Sequence, residues 1–191
     1  MFPSTHDITP LNLSEYICVL NKLLDAGNRV LIVSKPRWSC IPLICETLKA
    51  NHPDKYKSKV TFRFTIGSTD SIILKFWEPN APDFKERLGC LQYAYAAGFN
   101  TSVSCEPYLD QFPNYVYEAT ESLVSDKIWV GMLRSFDNRV NVDGMTHPQM
   151  KRFYYPLKTL QSPTIVKAMY NAMKDLPKIT WKDSIRKVVG I

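Results

Sequence analysis

The sequence predicts an α/β fold, and within that class a partial TIM-type parallel (βα) barrel. Three observations carry the expectation. Strand-like segments begin near positions 29, 60, 101 and 127. Their spacing of roughly 30–40 residues is that of a βα repeat. No G-x-G-x-x-G follows any of these segments, which weakens a doubly wound dinucleotide fold.

Each element has a local warrant. Thr9-Pro10 reads as a helix start, Leu13, Ile17, Leu20 and Leu24 recur at helical spacing, and Gly27 supplies the stop. Residues 29–34, RVLIVS, read as a buried parallel strand. A helix is expected over about 38–50 and ends in the Asn51-His52-Pro53 loop. Val60 to Ile66 is the next strand, turned by Gly67-Ser68 and followed by a long loop. A helix starts near Pro82-Asp83, aligns Phe84, Leu88, Leu91 and Tyr95, and ends at Gly98. A strand over 101–105, a helix near 113–124 and a strand near 127–133 complete the pattern. Beyond about 140 the alternation weakens, and a last helix is expected over 163–175.

Composition excludes several classes. The 191 residues are 45% hydrophobic and 22% charged, ordinary for a globular chain and unlike collagen, disorder or a disulfide-stapled miniprotein. No apolar run reaches the ~18 residues of a membrane span. The opening MFPSTHDITP lacks the regions of a signal peptide, so a cytoplasmic location with no membrane partner is expected. The net charge of +6 is uneven: residues 151–191 hold nine Lys/Arg and two Asp, a net of +7. We therefore divide the chain into a barrel-like part, 1–140, and a basic, mainly helical extension, 141–191. A basic tail can steer toward phosphates or be a solvated helical face. The cysteines, at 18, 40, 45, 90 and 105, match no zinc or redox spacing and read as reduced, mostly buried thiols.

In parallel barrels ligands meet the C-terminal ends of the strands. Those ends carry Ser4-Thr5-His6-Asp7, Ser34-Lys35, Thr65 with Glu78 beyond it, Glu106 and Arg134. His6 and Asp7 are too few for a metal site alone, and Asp7 also suits a turn cap. Glu78 is far from any His, which argues against an acid/base dyad. Alternation places Thr61, Arg63 and Thr65 on one strand face, and Ser102, Ser104 and Glu106 on one face of the neighbour. Val103 and Cys105 point the other way. A closed apolar barrel core would not carry these residues, whereas a lumen holding a polar ligand would. Arg63 and Glu106 are expected to pair, directly or through a ligand carboxylate.

Residues 63–107 resemble the fourth- and fifth-strand region of radical S-adenosylmethionine (radical SAM) proteins, in the branch that includes spore photoproduct lyase and DNA-repair photolyase-like proteins. The resemblance rests on Thr65-Ile66-Gly67-Ser68, on Trp77-Glu78-Pro79-x-Ala81-Pro82, on Arg87-Leu88, and on the Ala-Ala-Gly-Phe that leads to Glu106-Pro107. Ser4-Thr5-His6-Asp7 is similar to the end of the second strand, Val33-Ser34-Lys35-Pro36 to the third and Ile128–Met132 to the sixth. Roughly residues 1–135 are covered. The resemblance implies strands two to six of a (βα)6 barrel that binds S-adenosylmethionine. Ser4, Thr5 and His6 would lie near its methionine end, Ser34, Lys35 and Thr65 near the ribose or carboxylate, and Glu106 near the adenosine. Arg63 joins this set through the polar face. The family holds a [4Fe–4S] cluster on a C-x3-C-x2-C triplet after the first strand and uses it to make a 5′-deoxyadenosyl radical. This chain has no such triplet. It is therefore expected to lack an N-terminal segment of a longer protein and to be inactive alone. Two other readings stay open: a nucleic-acid-binding module using the basic tail, and an unrelated parallel-barrel enzyme acting on a small polar substrate.

Overall fold

The computed structural model describes residues 1–3, 6–110 and 113–191. Its first half alternates regularly: α1 (Leu13–Asp25), β1 (Val30–Ser34), α2 (Ile41–Asn51), the short α3 (Tyr56–Lys59), β2 (Val60–Thr65), α4 (Ser71–Trp77), α5 (Phe84–Ala96) and β3 (Asn100–Cys105). Then come α6 (Pro113–Thr120), β4 (Ile128–Val130), α7 (Phe136–Arg139) and α8 (His147–Gln149), the last leading through a π-helical turn into α9 (Tyr155–Leu160). α10 (Pro163–Met173), β5 (Ile179–Trp181) and α11 (Asp183–Val189) follow.

The strands form one parallel sheet in the order β1-β2-β3-β4-β5. Parallel neighbours joined in sequence by right-handed crossovers place their helices on one side of the sheet. The core agrees. Ile32, Phe62, Phe64, Val103, Ile128 and Val130 pack with Leu20 and Leu24 of α1, Ile41 and Ile44 of α2, Leu91 of α5, Val166 of α10 and Ile185 of α11. The strand order never reverses, so the sheet is singly wound.

Local chemistry explains several boundaries. Thr9–Asn12 is a turn rather than the first helical residues: the Thr9 N–H donates to Asn12 Oδ1 at 2.8 Å, and α1 begins one residue later. Gly27, at φ +80°, ends the connection to β1. α5 starts on Asp83, whose carboxylate accepts the Glu86 N–H at 2.8 Å. Ahead of Ser4-Thr5-His6-Asp7 the chain makes a single parallel bridge to β1: the Phe2 N–H donates to Leu31 O at 2.8 Å and Phe2 O accepts from the Val33 N–H at 3.0 Å.

Two elements depart from the sequence expectation. The long loop after β2 contains α4, capped by Asp70, which accepts from the N–H groups of Ile72 and Ile73. The segment 141–191 is basic and largely helical, yet β5 belongs to it and pairs with β4 in register Trp129↔Thr180. The sheet therefore crosses the boundary drawn near 140. Among the described residues no helix is long and apolar enough to cross a membrane.

Candidate functional site

The face opposite the helices carries Thr61, Arg63 and Thr65 from β2, Ser102 and Ser104 from β3, and Trp129 from β4. Register places Arg63 beside Ser102 and Thr65 beside Ser104, with Trp129 beside Ser104 on the next strand. The alternation read from sequence thus produces one continuous polar surface. Val103 and Cys105 lie in the core on the other side, as expected.

The expected Arg63–Glu106 pair does not form. Arg63 Nε donates to Ser102 Oγ at 3.1 Å, its guanidinium lies 3.6 Å from Asp126, and it covers the Trp129 ring at 4.8 Å. Burial pulls its pKa down, and Asp126 opposes that. Glu106 instead pairs with Lys182 at 2.9 Å. The reason is register. Glu106 lies four residues beyond Ser102, the partner of Arg63, or about 13 Å along the strand at about 3.3 Å per residue. Asp126 precedes β4, whereas Glu106 follows β3 and Lys182 follows β5. Arg63 is therefore tied to the N-terminal side of the sheet, and Glu106 and Lys182 to the C-terminal rim. Lys182 also lies 5.2 Å from the Trp129 ring centre, so this indole contacts both cations.

A second cluster occupies the rim at β1 and β2. The Lys35 N–H donates to Asp7 Oδ1 at 2.7 Å, and Ser34 Oγ accepts the Ile8 N–H at 3.0 Å. Asp7 thereby fastens the N-terminal arm to the end of β1. Lys35 Nζ lies 3.5 Å from Asp7 and 3.6 Å from Glu78. Glu78 in turn accepts from Arg87 at 2.7 Å. Arg87 is wholly buried on α5 and also donates to the carbonyls of Pro82, at 2.8 Å, and Thr65, at 3.1 Å. The Thr65 backbone, held by Arg87, is therefore part of the same network. A cavity of about 360 Å³ opens here, walled by Asp7, Lys35, Arg37, Trp77, Glu78 and Asn80.

Of the residues expected to hold a cofactor, Ser34, Lys35, Thr65 and Glu106 come to the C-terminal rim. Arg63 shares their face but belongs to its opposite end. His6 is exposed, and among the described residues no hydrogen bond or ion pair reaches it. Ser4 and Thr5 lie outside the described residues. Sequence reasoning missed Lys182, Trp129, Asp126 and Arg87 as site residues. Glu78 has no His to work with, but its partner is an Arg nine residues on, and the Trp-Glu-Pro stretch followed by Arg87 carries that signal.

Two glycines let the rim close. A Cβ on Gly67 would stand 2.5 Å from the Pro107 carbonyl oxygen, and one on Gly131 would stand 2.9 Å from Glu106 Cγ and Oε1. Only a residue without a side chain lets these loops approach so closely.

The residues present do not fit an iron–sulfur cluster. Cys40, Cys45, Cys90 and Cys105 are buried in the core, and Cys18 is exposed on α1. Burial pushes the Cys45 and Cys90 thiols up to about 12, far from the thiolate state that iron requires. Among the described residues no group of three His, Cys, Asp or Glu is placed to hold a metal ion.

Comparison with protein-family models, with curated proteins and with solved structures finds no match to this chain.

Proposed function

We propose that the C-terminal rim of the polar sheet face binds S-adenosylmethionine, and that the chain is the cofactor cradle of a radical SAM-type protein built on a partial (βα) barrel. One observation carries the reading: a singly wound sheet leaves one face polar and gathers Lys35, Glu106 and Lys182 with Asp7 and Glu78 at the ends of its strands. S-adenosylmethionine carries an ammonium, a carboxylate, a sulfonium and a ribose diol. Lys35 and Lys182 suit the carboxylate. Asp7, Glu78 and Glu106 suit the cationic groups and the hydroxyls. When bound, the sulfonium supplies a cleavable C–S bond. This chain's own residues bind and orient it, and no step through a cluster is assigned to them. The nucleic-acid alternative gains less, because Lys158, Lys178 and Lys182 of the basic segment are already paired with Asp137, Glu121 and Glu106.

Equilibrium dialysis of the full chain against labelled S-adenosylmethionine tests the proposal. Glu106→Ala should weaken binding by about tenfold, the worth of one charge-assisted hydrogen bond. Cys105→Ala, whose side chain faces the helix layer, should leave binding unchanged. Equal affinity in the two variants, or no binding to the unaltered chain, would overturn the reading.

A further inference from the structure

A second cavity, of about 580 Å³, lies between α4 and the segment that includes α9. Its size falls in the range of small-molecule pockets, about 300–1,000 Å³. Trp77 and Phe153 supply aromatic walls, and Leu109 and Leu157 an apolar floor. The Phe153 ring is fixed from behind, stacked on Phe76 at 3.9 Å with an interplanar angle of 11°. Three charged side chains line the same space: Asp70, Asp110 and Arg152.

Hydrogen bonding defines what Asp70 and Arg152 can still accept or donate. Asp70 Oδ1 accepts the Ile72 and Ile73 N–H groups at 2.7 and 3.4 Å, which caps α4. Asp70 Oδ2 has no partner among the described residues. Asp110 is buried and accepts the Ser68 hydroxyl, so it is tied to the loop that follows β2. Arg152 is exposed, lies 5.3 Å from the Phe153 ring centre, and meets no carboxylate among the described residues. The cavity thus offers a flat aromatic face, the Asp70 carboxylate as acceptor and a guanidinium donor.

We infer that this cavity binds a planar heterocycle with the hydrogen-bonding edge of guanine. A guanine presents a ring N–H beside an exocyclic amino group, two parallel donors that one carboxylate accepts. Its oxo group and ring nitrogen accept from an arginine fork. Its faces stack on aromatic side chains without regard to sequence context. Asp70 takes the donor edge, Arg152 the acceptor edge and Trp77 one face; Phe153, parallel to Phe76 within 11° while Trp77 stands at 87° to Phe76, meets the ligand at its border. Adenine lacks the ring N–H beside its amino group and cannot satisfy the carboxylate in the same way. The inference stands apart from the adenosylmethionine proposal, because the two cavities adjoin only at Trp77 and share none of the charged residues assigned here.

Calorimetric titration of the full chain with guanosine tests it, with 1-methylguanosine and inosine as probes that each lack one donor. Guanosine should bind, and each analogue should bind about 10- to 100-fold more weakly, as expected for the loss of a hydrogen bond to a charged group. Asp70→Asn keeps an oxygen for the helix cap but removes the charge. It should preserve the thermal unfolding profile and weaken guanosine by a similar factor. Arg152→Ala, a surface change, should weaken guanosine without altering its advantage over 1-methylguanosine. A thymidine tetranucleotide carrying one deoxyguanosine separates the sources: tighter binding than guanosine identifies a strand, and weaker or equal binding identifies a free nucleoside. Indifference among the three nucleosides, an unchanged affinity in a folded Asp70→Asn variant, or no guanosine binding at millimolar concentration overturns the inference.

Discussion

Replacing Arg87 with methionine keeps most of the side chain's volume and removes its charge, and so isolates the anchor beneath the Glu78 loop. In the native chain Arg87 satisfies three acceptors at once: Glu78 Oε2 at 2.7 Å, the Pro82 carbonyl at 2.8 Å and the Thr65 carbonyl at 3.1 Å. Breaking a buried ion pair by removing one partner costs about 3–5 kcal/mol, because the other charge is stranded. Glu78 keeps Lys35 at 3.6 Å and 15% exposure, so it is not left wholly unpaired, which places the expected loss at the lower end, at about 3 kcal/mol. That is a large share of a typical stability of about 5–15 kcal/mol. With a urea slope of about 2 kcal/mol/M, the unfolding midpoint should fall by about 1.5 M. Adding Glu78→Gln to Arg87→Met should restore part of the loss, since the amide needs no counter-charge. A midpoint shift below about 0.5 M, or a double variant no more stable than Arg87→Met, would refute the reasoning.

Two further predictions use the same geometry. Gly131→Ala should push Glu106 away from Lys182, because the new Cβ would lie 2.9 Å from Glu106 Oε1. S-adenosylmethionine affinity should drop by about tenfold, and dialysis reads the change directly. Iodoacetamide should label Cys18 rapidly in the native chain and the four buried cysteines only on unfolding, as peptide mass mapping will show. The Cys45 and Cys90 thiols ionise near 9.0 when unfolded but at about 12 when folded. Their contribution is therefore fully present below pH 9 and is lost as pH rises from about 9 to about 12. Urea titrations over that range should show stability falling, with a shallower fall in Cys45→Ala.

Much of the framework was legible in the sequence because it follows from period. Leu13, Leu20 and Leu24 recur on one face of α1, and all three are buried. The alternation in β2 separated Phe62 and Phe64, which enter the core, from Arg63 and Thr65, which do not. Three things were out of reach for physical reasons. α4 opens with Ser71-Ile72-Ile73, a β-branched start that reads against a helix, and it is stabilised by the Asp70 cap and by Leu74 packing on Leu109 and Leu157. β5 is three residues long and takes its place from β4 rather than from any pattern of its own. The identity of each ion pair depends on register along the sheet. Period two says which residues share a face, but not that Arg63 stands level with Ser102 and four residues short of Glu106.

The pairing also bears on which ligand the rim suits. The chain carries a net charge of +6, yet the charged side chains named on the polar face are matched: Arg63 with Asp126, Lys182 with Glu106, and Lys35 with Asp7 and Glu78. A simple anion that drew Lys182 away would strand Glu106 beside Gly131, and removing one partner from a sheltered pair is the costly step. A cation that drew Glu106 away would strand Lys182 in the same manner. A zwitterion avoids both penalties, because it inserts between the partners and gives each a new counter-charge. The amino acid portion of S-adenosylmethionine has that character, and its sulfonium adds one cation that the third carboxylate of the rim can meet. The rim therefore favours a ligand with adjacent opposite charges over a phosphate or a polyamine. Competition dialysis should rank S-adenosylmethionine above equimolar phosphate and above spermidine. The reverse order would separate the ion-paired rim from the proposed cradle.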